Sequence, residues 1–185
     1  GRTAVSTGTV LVSGTGSEWQ AGNQLVVGSE VDLSTRALLA GGGSGSITVE
    51  DSGTLSSRNI FIQNGDMEIN SGGTATGRLA ILGNDTGGTG ELTVSGLGSR
   101  MDLTGKNSSG SRAALVIGDE GAGTLNINNG GVVEVNGDLE PGRGSVINLG
   151  GSLNTTQATG NGIANVDGAG SELRLSSGEV ALFQV

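Results

Sequence analysis

The feature that most limits what this chain can fold into is its internal repetition. The phrase Val12-Ser13-Gly14-Thr15-Gly16-Ser17-Glu18-Trp19 returns as Val94-Ser95-Gly96-Leu97-Gly98-Ser99-Arg100-Met101 and as Val166-Asp167-Gly168-Ala169-Gly170-Ser171-Glu172-Leu173. A second phrase, Leu25-Val26-Val27-Gly28-Ser29-Glu30, recurs as Ala80-Ile81-Leu82-Gly83-Asn84-Asp85 and Leu115-Val116-Ile117-Gly118-Asp119-Glu120. Between them lie strand-like phrases opened by glycine: Gly45 to Val49, Gly90 to Val94, Gly123 to Ile127 and Gly144 to Ile147. A unit that cannot bury its apolar face alone, repeated in tandem, stacks on its neighbours as a solenoid.

The period within each phrase is two. Runs such as Thr124-Leu125-Asn126-Ile127-Asn128 and Glu172-Leu173-Arg174-Leu175 alternate polar and apolar side chains, as half-buried strands do. Short turns such as Asn128-Asn129-Gly130-Gly131 join units of like strand order, which favours a parallel coil over an antiparallel meander. Rungs of about 20 to 25 residues would give about eight rungs and a rod on the order of 40 Å long at the ordinary strand spacing. Ser34 to Ala40 is the one stretch with helical character. The fold expected is therefore all-β, a right-handed parallel β-helix built as one domain over residues 1–185, with surface insertions.

Composition narrows the chemistry. With no Cys and no His, the chain cannot hold a disulfide, a thiolate or imidazole metal ligand, or a His-dependent catalytic triad. A formal charge of −9 with a single Lys, Lys106, argues against nucleic acid and anionic membrane, which need clustered cations. Gly makes up 38 of 185 residues without a Gly-X-Y period, so it marks turns and not a collagen-like rod.

Aligned units expose surplus residues near 31–44 (Val31 to Ser44), near 104–112 (Thr104 to Arg112) and near 155–165 (Thr155 to Asn165). Insertions in solenoids map to loops on one face, where binding is often done. Arg36, Leu38, Lys106 and Arg112 in these stretches are the candidate partner-binding residues. Arg36, Arg58, Arg78 and Arg100 also recur at intervals of 22, 20 and 22, close to one rung.

Other constellations have simpler readings. Asp66 and Glu68 would share a strand face, as a polysaccharide-cleaving carboxylate pair does, but a solvated face explains them as well. Glu30, Asp85 and Glu120 follow the repeated Gly by two residues; turn bonding accounts for this, with calcium on an acidic edge the sharper alternative. Gly14-Thr15-Gly16 and its repeats lack the third Gly and the helix of a dinucleotide loop. Trp19 aligns with Met101 and Leu173, so it reads as a core or cap residue before a sugar platform. Asn84, Asn107 and Asn154 sit in glycosylation-type triplets of the kind a Ser- and Thr-rich chain produces by chance.

The run from Ala113 to Val133, together with Gly90 to Met101, resembles the repeats of bacterial autotransporter passenger domains, the type V secretion proteins. The resemblance implies a β-helix displayed at the bacterial cell surface, threaded through the outer membrane by a β-barrel that lies outside this chain. It implies no catalytic motif and no cofactor. The function expected is non-enzymatic adhesion or self-association, with a host surface or matrix molecule, or the same protein on a neighbouring cell, as partner. A spacer that displays another domain and a polysaccharide-active β-helix are the alternatives. Repeats reaching both ends lead one to expect a segment of a longer polypeptide.

Overall fold

A computed structural model describes residues 7–28, 30–31, 38–39, 42–105, 112–137, 144–151, 160–176 and 181–184. Eighteen of its strands fall into three parallel sheets that share a common core. Sheet A stacks β1 (Thr7–Ser13), β6 (Ser44–Glu50), β9 (Asn64–Ile69), β12 (Thr89–Ser95), β15 (Ala122–Asn128) and β18 (Asn161–Asp167). Sheet B stacks β2 (Glu18–Gln20), β7 (Thr54–Ser56), β10 (Thr74–Gly77), β13 (Arg100–Thr104), β16 (Val132–Asn136) and β19 (Glu172–Ser176). Sheet C stacks β3 (Gln24–Val27), β8 (Asn59–Ile62), β11 (Leu79–Leu82), β14 (Ala114–Ile117), β17 (Ser145–Leu149) and β20 (Ala181–Gln184). Each turn of the chain contributes one strand to every sheet, which is a parallel β-helix.

Stacking like on like produces the core. The row Ile47, Met67, Leu92 and Leu125 and the row Val49, Ile69, Val94 and Ile127 run up the inside of sheet A in register, each residue 3 % exposed or less. Trp19, Leu55, Ala75, Met101, Val133 and Leu173 form the corresponding row of sheet B. Trp19 is thus a half-buried core residue of the first rung. Each inward side chain has apolar neighbours above and below, so burial of the whole row removes far more surface from water than one rung could alone.

The repeated phrases are the corners. The second phrase ends three of the sheet C strands, at Gly28, Gly83 and Gly118, all left-handed, with φ of 73°, 68° and 75°. A side chain there would collide with backbone: at Gly118 a Cβ would lie 2.2 Å from the Asn161 carbonyl oxygen. The first phrase turns the chain from sheet A to sheet B. Ser17 N–H donates to the Gly14 carbonyl at 3.0 Å and Ser99 N–H to that of Gly96 at 3.1 Å, and the serine hydroxyls staple neighbouring backbone, as when Gly72 N–H donates to Ser99 Oγ at 3.1 Å.

Several expectations need correcting. Each sheet holds six strands among the described residues, not eight, and spans on the order of 24 Å at about 4.8 Å per step. The steps between equivalent glycines of sheet A differ: 37 residues from Gly8 to Gly45, 20 to Gly65, 25 to Gly90, 33 to Gly123 and 39 to Gly162. Gly144 to Ile147, expected among the sheet A phrases, runs into β17 of sheet C. Residues 161–165, expected in a loop, belong to β18, because their alternation pairs in register with β15. Leu38–Leu39 (β5) is a strand, not helix, and pairs antiparallel with β4 (Glu30–Val31) inside the insertion near 31–44.

Candidate functional site

Sheet A turns a polar surface outward. One row runs Ser46, Asp66, Glu91 and Thr124, and the next runs Thr48, Glu68, Thr93, Asn126 and Asn165. Asp66 and Glu68 do share the outward face, as their spacing predicts, and both are exposed. Neutral donors hold the carboxylates: Ser46 Oγ donates to Asp66 Oδ2 at 2.9 Å and Asn126 Nδ2 to Glu91 Oε1 at 2.7 Å. Asn165 Nδ2 continues the ladder to Asn126 Oδ1 at 2.9 Å. A groove of about 480 Å³ lies over Asp66, Glu91, Thr89 and Thr124. What this arrangement offers a partner is a set of hydrogen-bonding groups repeated once per rung.

Sheet B carries an ion-pair network instead. Arg100 Nε donates to Asp102 Oδ2 at 2.6 Å, and Arg100 Nη2 reaches Glu134 one rung up. The hydrogen bond to Asp102 raises the Arg100 guanidinium pKa, against an opposing desolvation, and the Glu134 bond adds to the rise. Arg174 pairs with Glu172 on the last rung. These pairs tie β13 to β16 and close β19.

The corner between sheets B and C concentrates positive charge. The turns stack: Arg58 N–H donates to the Gly22 carbonyl at 2.9 Å, Arg78 N–H to that of Arg58 at 2.9 Å, and Ala114 N–H to that of Arg78 at 3.0 Å. Arg58 and Arg78 therefore occupy equivalent places on successive rungs. Arg78 Nη2 donates to Asn59 Oδ1 at 2.7 Å and Nη1 to the Arg112 carbonyl at 3.2 Å. Burial, and secondarily the Arg58 charge, push the Arg78 guanidinium pKa down. Both arginines border a groove of about 510 Å³ whose other walls include Gln20, Ser56, Thr76 and Thr104.

The expected binding residues meet this picture in part. Arg36 and Lys106 lie outside the described residues, and Leu38 is placed only as backbone of β5. Arg112 adjoins the arginine corner through its carbonyl. The interval of 20 between Arg58 and Arg78 does mark stacked positions, whereas Arg100 sits on sheet B and pairs with acids. Asp85 acts as a turn residue: its carbonyl accepts from Gly88 N–H at 2.9 Å and its carboxylate from Asn84 Nδ2 at 2.7 Å. Sequence reasoning missed Gln63, a buried amide whose Oε1 accepts from Asn84 N–H at 2.7 Å and Asp85 N–H at 3.0 Å. Its one signal was a lone Gln at the end of the apolar run Ile60-Phe61-Ile62. Asn107 and Asn154 of the glycosylation-type triplets are outside the described residues. Compared with known protein families, with curated proteins and with solved structures, the chain matches none.

Proposed function

We propose that this chain is a non-enzymatic adhesive rod, a passenger-type segment displayed at a bacterial cell surface, which binds a host surface or matrix molecule or a second copy of itself. The observation that carries the reading is the polar ladder of sheet A, where hydrogen-bonding groups of mixed type recur in register on four successive rungs. A flat, rigid and periodic surface suits a partner that is itself extended or repetitive. Each exposed polar or charged contact contributes about 0 to 1 kcal/mol, so such binding gains strength from many contacts and many copies. The autotransporter resemblance of Ala113 to Val133 supports surface display by the type V route.

The test is sedimentation of the purified chain over a concentration series, with and without added salt and calcium, joined to a clumping and matrix-retention assay of cells that display it. Reversible, salt-sensitive association or retention on matrix is expected. A chain that stays monomeric in every condition, on cells that neither clump nor adhere, would identify a spacer instead. Turnover of an acidic glycan would mark the sheet A carboxylates as catalytic and overturn the non-enzymatic reading.

A further inference from the structure

We propose that the groove at the corner of sheets B and C binds the carboxylate or sulfate group of an anionic glycan through Arg58 and Arg78. Arg58 is exposed, and among the described residues it makes no side-chain hydrogen bond or ion pair. Arg78 spends two donors on Asn59 and the Arg112 carbonyl, while its buried Nε–H has no acceptor. The arginines of β13 and β19, by contrast, face carboxylates: Arg100 has Asp102 and Glu134, and Arg174 has Glu172. In a chain of formal charge −9, two like charges stacked a rung apart without an acid between them are an arrangement that an external oxyanion would relieve.

The rest of the groove specifies what carries that oxyanion. Successive outward positions of sheet B place Gln20, Ser56 and Thr76 in one row beside the arginines, with Thr104 at the end of β13. Hydroxyls and a carboxamide both donate and accept, which matches the hydroxyls of a sugar ring. Gly77 keeps the floor close, since a Cβ there would stand 2.7 Å from the Ser57 carbonyl oxygen. The volume, about 510 Å³, lies within the range of small-ligand sites. Guanidinium groups match planar or tetrahedral oxyanions in a fork of two hydrogen bonds, which a point charge cannot do. The choice of a glycan over a small free anion rests on the adhesive reading above; the charge pairing does not.

Calorimetric titration of the full chain decides the matter, with an oligogalacturonate, a sulfated heparin-type oligosaccharide, an uncharged maltooligosaccharide of matched length and a polyglutamate peptide as probes. One or both anionic sugars are expected to bind, weakening with salt, while the uncharged one does not; which of the two binds assigns carboxylate or sulfate. Arg58→Ala should weaken binding about tenfold, the scale of one charged hydrogen bond, with its melting temperature unchanged. Arg174→Ala removes the same charge elsewhere and should leave affinity near wild type. Equal losses in the two variants, binding of the neutral sugar, tighter binding of polyglutamate, or no binding of either anionic sugar at millimolar concentration would overturn the proposal. Sedimentation of Arg58→Ala keeps the two readings apart, because self-association that survives the substitution leaves the adhesive rod standing whatever the groove does.

Discussion

Gly90→Ala tests whether close approach between corners, and not chain flexibility, dictates the glycine row of sheet A. Gly8, Gly45, Gly65, Gly90, Gly123 and Gly162 occupy one register position. A Cβ on Gly90 would stand 2.0 Å from the Ile62 carbonyl oxygen and 2.6 Å from Gly83 N. Those two atoms are the partners of a 2.8 Å inter-rung hydrogen bond, so neither can retreat without lengthening it. Overpacking of this kind costs about 1 to 3 kcal/mol, and loss of the backbone bond adds about 0.5 to 1.5 kcal/mol. The expected destabilisation is about 1.5 to 4.5 kcal/mol, or roughly 3 to 18 °C in melting temperature for a chain of this size. Gly8 shares the row but has nothing within 4 Å of its Cβ position, so Gly8→Ala should be close to neutral. Gly16, with φ of 84° and open space, should lose only the left-handed conformational penalty of about 1 to 2 kcal/mol on change to alanine. Thermal and urea unfolding followed by circular dichroism rank the three variants. If Gly90→Ala melts within 2 °C of Gly8→Ala, roughly the effect of a single kcal/mol, the collision argument is wrong.

Three further outcomes follow from the same contacts. Gln63→Leu should destabilise by about 1 to 3 kcal/mol, because the Asn84 and Asp85 N–H groups lose their acceptor; unfolding by urea reads this directly, and a neutral result would show that solvent replaces the amide. Leu125→Ala empties a fully buried place in the central core row and should cost about 2 to 5 kcal/mol by the same measurement, whereas Leu97→Ala, on an 83 % exposed turn residue, should change little. Arg100→Ala should cost about 0.5 to 1 kcal/mol, since the side chain is 36 % exposed and screened. A raised guanidinium pKa means that the folded state holds this proton more tightly, so the Arg100 contribution is complete below the ordinary guanidinium range and is lost only above it. The Arg100→Ala difference should therefore be flat with respect to the arginine between pH 6 and 9 and should shrink in high salt. A steep change across that window assigned to Arg100 would refute the pairing.

The sequence by itself determined the kind of structure: period-two alternation, glycine-ended corners and the Gly-x-Gly-Ser turn are local patterns, and each acts within a few residues of chain. It put Trp19 at a core or cap position, through its alignment with Met101 and Leu173, and Asp66 with Glu68 on one strand face, through their spacing of two. Stacking was a different matter. Which residue lies above which is a relation through space, and insertions vary the sequence separation of stacked glycines from 20 to 39, so no fixed period shows it. Only the tertiary structure showed six strands per sheet among the described residues, moved Gly144 to Ile147 onto sheet C and separated Arg100, which meets its acids, from Arg58 and Arg78, which share a groove. It also decided that β14 is buried on both sides, Val116 included, although Val116 points away from Leu115 and Ile117. Backbone pairing between successive rungs sets these positions, and in sheet A it joins residues 20 to 39 apart in the chain, beyond the reach of any local pattern.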